Sequence, residues 1–174
     1  MNSIFQTPFD KLERQRTQIV DQVNKLSEEA FNFSPPGKWS VAQILMHLLT
    51  SERLSIGYMK KKSLGIETLK DSGLKQSMVS GLLKISQRIP FRYKAPRVIV
   101  DHTPEALTIE EIASRWNKSR NELKEFLESI REDHSRRLIF KHPIGGMLNT
   151  EQALKFMYEH INHHLPQIKR LLNQ

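Results

Sequence analysis

Four long segments of this chain repeat apolar residues at the three- and four-residue spacing of an amphipathic α-helix. The first runs from about Ser3 to Leu26. Residues 31–38 then contain two prolines and a glycine, which end any helix. Ser40 is a suitable N-cap for the second helix, which we expect to end near Lys62. A helix with one apolar stripe buries that stripe against its neighbours, so this spacing favours a bundle.

Two further helices follow a long segment with weaker periodicity. Thr108 and Glu111 form a capping box at the start of the third helix, because each side chain can bond the other residue's backbone amide. Asn149 or Thr150 is expected to cap the fourth helix. We find no convincing strand pattern. The sequence therefore predicts an all-α four-helix bundle with a long connection, 63–107, between helices 2 and 3.

That connection is the least regular part of the chain. The pattern from Leu74 to Gln87 allows a short helix. The prolines that follow favour extended or turning chain, and they are Pro90, Pro96 and Pro104. A connection of this length in a compact domain often covers a functional site. The total of 174 residues suits one domain, 1–174, with a substantial core.

Cysteine is absent from the sequence. Its absence excludes disulfides, cysteine nucleophiles, thiolate metal sites and iron–sulfur clusters. The first residues lack the basic start and the long apolar run of a signal peptide. No stretch approaches the roughly 18 consecutive apolar residues that span a membrane. We therefore expect a soluble, cytoplasmic protein with no membrane partner.

The formal net charge is +8. Basic residues gather at 60–62, at 136–137 and within the long connection, where they are Lys84, Arg88, Arg92, Lys94 and Arg97. Such a surface attracts anions, including nucleic acids. Because no nucleic-acid-binding module accompanies the charge, we favour a solvated basic surface and expect no specific nucleic-acid partner.

Three histidines fall within five residues of the fourth helix: His160, His163 and His164. His160 and His164 are one helical turn apart, so they share a face. That face also carries the apolar stripe, which consists of Ala153, Phe156, Met157, Ile161, Ile168 and Leu171. His163 lies at its edge. Buried imidazoles need polar partners, and a carbonyl, a hydroxyl or a shared divalent metal would each serve.

The second helix carries a histidine, His47, in the middle of its predicted inner face. That face consists of Ile44, His47, Leu48, Ser51, Leu54, Ser55 and Tyr58. His47 is therefore the candidate third metal ligand. Tyr58 either contacts a substrate from this face or is an ordinary core tyrosine. Arg120 interrupts the stripe of the third helix, and its head group either reaches solvent or binds an anion at the bundle centre.

Two groups of residues stand in a characteristic order along the chain. The first is Lys38, Trp39 and Ser40, followed by His47. The second begins at a turn and continues into the last helix, and it consists of His142, Pro143, Gly145, Thr150, Phe156, His160, His163, His164, Gln167 and Ile168. Together they resemble the DinB/YfiT-like superfamily, which includes metal-dependent hydrolase-like members and small-thiol S-transferases. The resemblance spans most of the chain and is weakest at 63–107.

The resemblance implies a four-helix bundle, often dimeric, that holds one divalent metal ion through three histidines. Carried over by position, the ligands are His47, His160 and His164. His163 corresponds to an additional histidine that is not usually a ligand, and His142 to a turn histidine with a supporting role. Zinc is the metal we expect, with nickel or another transition metal as alternatives. A homodimer is the expected assembly.

Three neutral imidazoles would leave the metal its full charge and an open coordination position. We expect such a metal to activate a low-molecular-weight thiol for transfer to a small-molecule substrate. A hydrolase that uses metal-bound water is one alternative, and a non-catalytic, dimeric binding module held by its metal is another. The candidate helper residues are Glu52, Tyr58, Arg120 and Tyr158. The general base is unassigned, because Ser51 rather than an acidic residue lies one turn from His47.

Overall fold

A computed structural model describes residues 1–73, 76, 78, 81, 108–142 and 144–173 of the chain. The helices in these ranges are α1 (Ser3–Val23), α2 (Glu28–Asn32), α3 (Val41–Ser63), α4 (Ile109–Ser129) and α5 (Thr150–Leu172). Single turns of 3₁₀-helix lie at Ile66–Thr68 and Glu132–His134. The four long helices, α1, α3, α4 and α5, form the predicted bundle, and the long connection lies between α3 and α4.

Capping boxes open three of the long helices. Each pairs an N-cap side chain with the side chain three residues later, and the pairs are Ser40–Gln43, Thr108–Glu111 and Asn149–Gln152. The predictions at Ser40 and Thr108 are confirmed, and Asn149 rather than Thr150 caps α5. The first helix ends at Val23, slightly before the predicted Leu26. None of the helices in the described ranges is long and apolar enough to cross a membrane.

The core forms where α5 packs against α1 and where α3 packs against both α4 and α5. Its fully buried side chains include Phe5, Leu12, Leu45, Leu49, Met59, Trp116, Leu123, Leu154 and Ile168. Burying one such side chain contributes about 1.5–3 kcal/mol to folding. The predicted inner face of α3 is wrong at Leu54 and Tyr58, which are 50% and 37% exposed. The buried stripe instead passes through Glu52, Ile56 and Met59, because α3 also faces α4.

A short β-hairpin lies where the sequence predicts only a turn. Strands β1 (Phe140–His142) and β2 (Gly146–Leu148) pair antiparallel. Gly146 has φ +71°, a conformation that glycine adopts without strain. The expectation of no strand is therefore wrong. Strands of three residues are too short to show an alternating pattern in the sequence. The predicted segment 74–87 lies mostly outside the described residues, and prolines 90, 96 and 104 lie wholly outside them.

Arg120 lies in the interior and is 1% exposed. Its Nη2 atom is 2.9 Å from a carboxylate oxygen of Glu52, and its Nε atom is 3.6 Å from Glu13. Glu52 also accepts hydrogen bonds from Trp116 Nε1 and Ser119 Oγ, at 3.2 and 2.9 Å. The prediction that the Arg120 head group reaches solvent is therefore wrong. The anion that it contacts at the bundle centre is a carboxylate of the chain itself.

Replacing Glu52 with leucine would leave the buried Arg120 guanidinium with Glu13 as its remaining carboxylate partner among the described residues. We expect Glu52→Leu to lower the free energy of unfolding by about 3–5 kcal/mol, the usual cost of removing one partner from a buried ion pair. The double variant Glu52→Leu/Arg120→Met should lose less stability than the sum of the two single variants, because it also removes the buried charge that lost its nearer partner. Urea unfolding of all four proteins measures this coupling. Purely additive losses would contradict it.

Candidate metal centre

Three histidine side chains from two helices converge at the contact between α3 and α5. One ring nitrogen from each of His47, His160 and His164 lies within 4.8 Å of the other two. The Nε2 atoms of His47 and His160 are 3.2 Å apart. The three ring centroids are separated by 4.9–5.1 Å. The structure therefore brings together the three residues that the sequence places on inner helix faces.

The arrangement fits one divalent ion. Two nitrogen ligands of a tetrahedral zinc ion, each about 2.0–2.1 Å from the metal, lie about 3.3 Å apart. The separation of the Nε2 atoms of His47 and His160, 3.2 Å, is close to that value. Imidazole nitrogens suit zinc, nickel and other divalent transition metals. No fourth histidine or acidic side chain joins the cluster within the described ranges.

Burial keeps these imidazoles in the neutral form that ligates metals. It lowers the pKa of His47 and of His164 to about 4, and the neighbouring histidines add to both effects. Burial also holds the pKa of His160 well below its usual range. Although part of His160 is accessible, its ring lies against His47, His164 and Phe156. The cluster is thus uncharged at neutral pH.

The β-hairpin supports the cluster through an aromatic contact. The ring of Phe156 lies parallel to that of His160, with an interplanar angle of 8° and centroids 5.7 Å apart. His142 packs edge-on against Phe156, with centroids 4.4 Å apart. The Nδ1 atom of His142 accepts hydrogen bonds from the backbone amides of Ile144 and Gly145, at 3.1 and 2.8 Å. His142 therefore holds the hairpin turn, in keeping with a supporting role.

A small pocket adjoins His160 between α3 and α5. Its lining consists of Leu48, Ser51, Glu52, Ser55, Phe156, Met157, His160 and Ile161. The carboxylate of Glu52 accepts hydrogen bonds from Trp116 and Ser119 and pairs with Arg120, so three side chains of α4 hold it in the pocket wall. The sequence analysis names Glu52 only as a candidate helper residue in catalysis. The periodicity of one helix does not reveal which side chains of another helix Glu52 contacts.

The remaining candidate residues lie outside the histidine cluster. Tyr58 is partly exposed and packs edge-on against Phe140, with centroids 6.3 Å apart. Tyr158 is partly buried, and its backbone carbonyl faces Gln15. His163 packs edge-on against His164 with centroids 5.0 Å apart, but its nitrogens do not join the cluster.

Sequence reasoning missed one contact of the cluster. The Nδ1 atom of His164 lies 3.1 Å from the side-chain oxygen of Gln167. The spacing of three residues on one helix is the signal that could have indicated this bond. His47 differs, because its Nδ1 atom is buried without a hydrogen-bond partner among the described residues.

We expect His47→Ala, His160→Ala and His164→Ala each to reduce the zinc content of the purified protein sharply, because each removes one of the three converging nitrogens. His163→Ala is the matched control, since it removes a histidine of the same helix that lies outside the cluster. Elemental analysis after dialysis gives the zinc content. Retention of zinc by His47→Ala, or its loss from His163→Ala, would show that the cluster is not the binding site.

Acid should destabilise the metal-free protein through its buried histidines. Burial lowers the pKa of His142 to about 4, whereas the unfolded chain has the ordinary value of 6.5. Between these values only the unfolded state takes up the proton, so stability falls as pH drops from about 6.5 to about 4. Each such histidine contributes a slope of about 1.4 kcal/mol per pH unit.

The variant His142→Asn isolates one of these contributions, because an asparagine side chain can still accept bonds from the turn amides. Its free energy of unfolding in the presence of a chelator should fall less steeply over this pH range than that of the wild-type chain. Urea titrations at several pH values give both slopes. Identical slopes would mean that His142 takes up its proton equally well in the folded state.

Comparison with known proteins agrees with this fold. The sequence model of the DinB superfamily matches residues 11–168. A solved structure, YfiT from Bacillus subtilis, described as a probable metal-dependent hydrolase with an unusual four-helix bundle topology, aligns with a TM-score of 0.59. The two chains are 16% identical over 95% of this chain and 84% of YfiT, a likeness that shows the fold. No curated protein matches the sequence. The family match covers most of the chain, which therefore belongs to the DinB superfamily.

Proposed function

We propose that this protein is a divalent-metal-dependent enzyme that transfers a low-molecular-weight thiol to a small electrophilic substrate. The observation that carries the proposal is the convergence of His47, His160 and His164, with no fourth protein ligand among the described residues. Zinc is the proposed metal, and nickel would suit the same ligands. When bound, the ion supplies a Lewis acid that lowers the pKa of a thiol or water in its open position.

The residues of the chain have three tasks in this proposal. His47, His160 and His164 would bind the ion as neutral imidazoles. The positive charge of the ion is then not reduced by carboxylate ligands. The pocket beside His160 provides apolar contacts and two hydroxyl groups for a substrate. Since the sequence has no cysteine, the sulfur nucleophile comes from outside the protein. The net charge of +8 would attract a thiol that carries carboxylates.

Metal-dependent hydrolysis is the second candidate function. Two observations favour it: YfiT is described as a probable metal-dependent hydrolase, and the pocket next to His160 has a polar wall of Ser51, Glu52 and Ser55. In this alternative, water takes the place of the thiol.

A purely structural metal site is less well supported. Structural zinc is normally enclosed by four protein ligands, whereas three converge here in the described part of the chain. Four expectations from the sequence stay predictions. They are a homodimer, a single domain over 1–174, a cytoplasmic location and the lack of a specific nucleic-acid partner.

Cobalt substitution separates the proposed functions. We expect 2-mercaptoethanol to add an intense near-ultraviolet charge-transfer band to the cobalt-loaded protein, because a coordinated thiol loses its proton and binds through sulfur. Ethylene glycol, which has hydroxyls only, is the matched control and should add no such band. His47→Ala should not develop the band after cobalt is added.

Other results of these experiments would change the proposed function. If no thiol changes the cobalt spectrum but the metal-loaded chain hydrolyses small esters and His47→Ala does not, hydrolysis replaces thiol transfer. If neither behaviour is observed, the proposal of a catalytic metal is wrong.

A further inference from the structure

The outer nitrogens of the histidine cluster have unequal surroundings. His164 Nδ1 lies 3.1 Å from Gln167 Oε1. An amide oxygen only accepts hydrogen bonds, so the proton of the neutral His164 ring sits on Nδ1. The lone pair of this ring is then on Nε2. A histidine in this tautomer can bind a metal through Nε2 without moving its proton.

His47 has the opposite arrangement. Its Nε2 atom is 3.2 Å from His160 Nε2, so one of these two nitrogens carries a proton in the metal-free protein. His47 Nδ1 is buried and has no hydrogen-bond partner among the described residues. A proton on that atom would be a buried N–H without an acceptor, which is unfavourable. The proton of metal-free His47 therefore belongs on Nε2, the atom that faces the cluster.

We propose that Gln167 is a positioning residue of the metal site, which fixes the tautomer and ring orientation of His164 so that Nε2 is ready to bind. This inference rests on the metal function proposed above. His164 is then the preset ligand, whereas His47 must move its proton from Nε2 when a metal binds. Removing the outer hydrogen-bond partner of a metal-binding histidine typically weakens metal affinity about 10- to 100-fold.

Three variants test the role of Gln167. Gln167→Leu removes the acceptor while keeping a side chain of similar size. Gln167→Glu keeps an oxygen acceptor at the same position and serves as the conservative rescue. Gln22→Leu, an exposed glutamine of α1, controls for placing leucine on a helix surface.

The first measurement needs no metal. Long-range ¹H–¹⁵N correlation spectra of the ¹⁵N-labelled, metal-free chain distinguish a protonated Nδ1 from a protonated Nε2. We expect His164 to be protonated at Nδ1 in the wild type, in Gln167→Glu and in Gln22→Leu. In Gln167→Leu the signal should shift toward the Nε2-protonated form. A purely structural role of Gln167 would leave the tautomer of His164 unchanged.

The second measurement is zinc affinity, obtained by competition with a chelator. Gln167→Leu should bind zinc about 10- to 100-fold more weakly than the wild type, and Gln167→Glu should restore wild-type affinity. An unchanged tautomer, or wild-type zinc affinity in Gln167→Leu, would overturn the inference about Gln167 and leave the proposed function standing. A wild-type chain that binds no zinc would overturn the proposed function, whatever the spectra show.

Discussion

The contact between α3 and α5 is the interaction on which the candidate site depends. Apolar side chains of both helices are buried there, among them Leu48, Met157 and Ile161. Their burial draws the two helices together, and His47 consequently meets His160 and His164 in the same interior. The site is therefore built on two long helices whose positions are set by the core. Such rigid elements hold ligands more precisely than loops do.

This arrangement carries a cost in stability. Polar rings occupy interior positions, and one of their nitrogens, His47 Nδ1, has no partner among the described residues. Burial also opposes protonation, since it lowers the pKa of His47 and His164 to about 4. A bound metal ion would give the nitrogens of all three rings a common partner. The same features that cost stability in the metal-free chain thus favour metal binding.

Much of the fold could be predicted because it depends on local patterns. Helical spacing and capping boxes are properties of neighbouring residues, and the boxes at Ser40 and Thr108 are where the sequence places them. The convergence of the histidines followed from their inward direction on helices that share one core. Their role as ligands stays a proposal.

The features that sequence reasoning missed depend on contacts between distant segments. Glu52 and Arg120 pair across two helices, and no local pattern reveals which buried charge meets which. The exposure of Leu54 depends on how α3 turns between α4 and α5. The hairpin is too short for a strand signal.

X-ray absorption spectroscopy of the zinc-loaded chain tests most directly whether the three histidines share one ion. With one equivalent of zinc, we predict three imidazole nitrogens at about 2.0–2.1 Å and one further ligand from the solvent. A zinc ion that is bound through fewer than three imidazoles would contradict the site described here. So would failure of the chain to bind one equivalent.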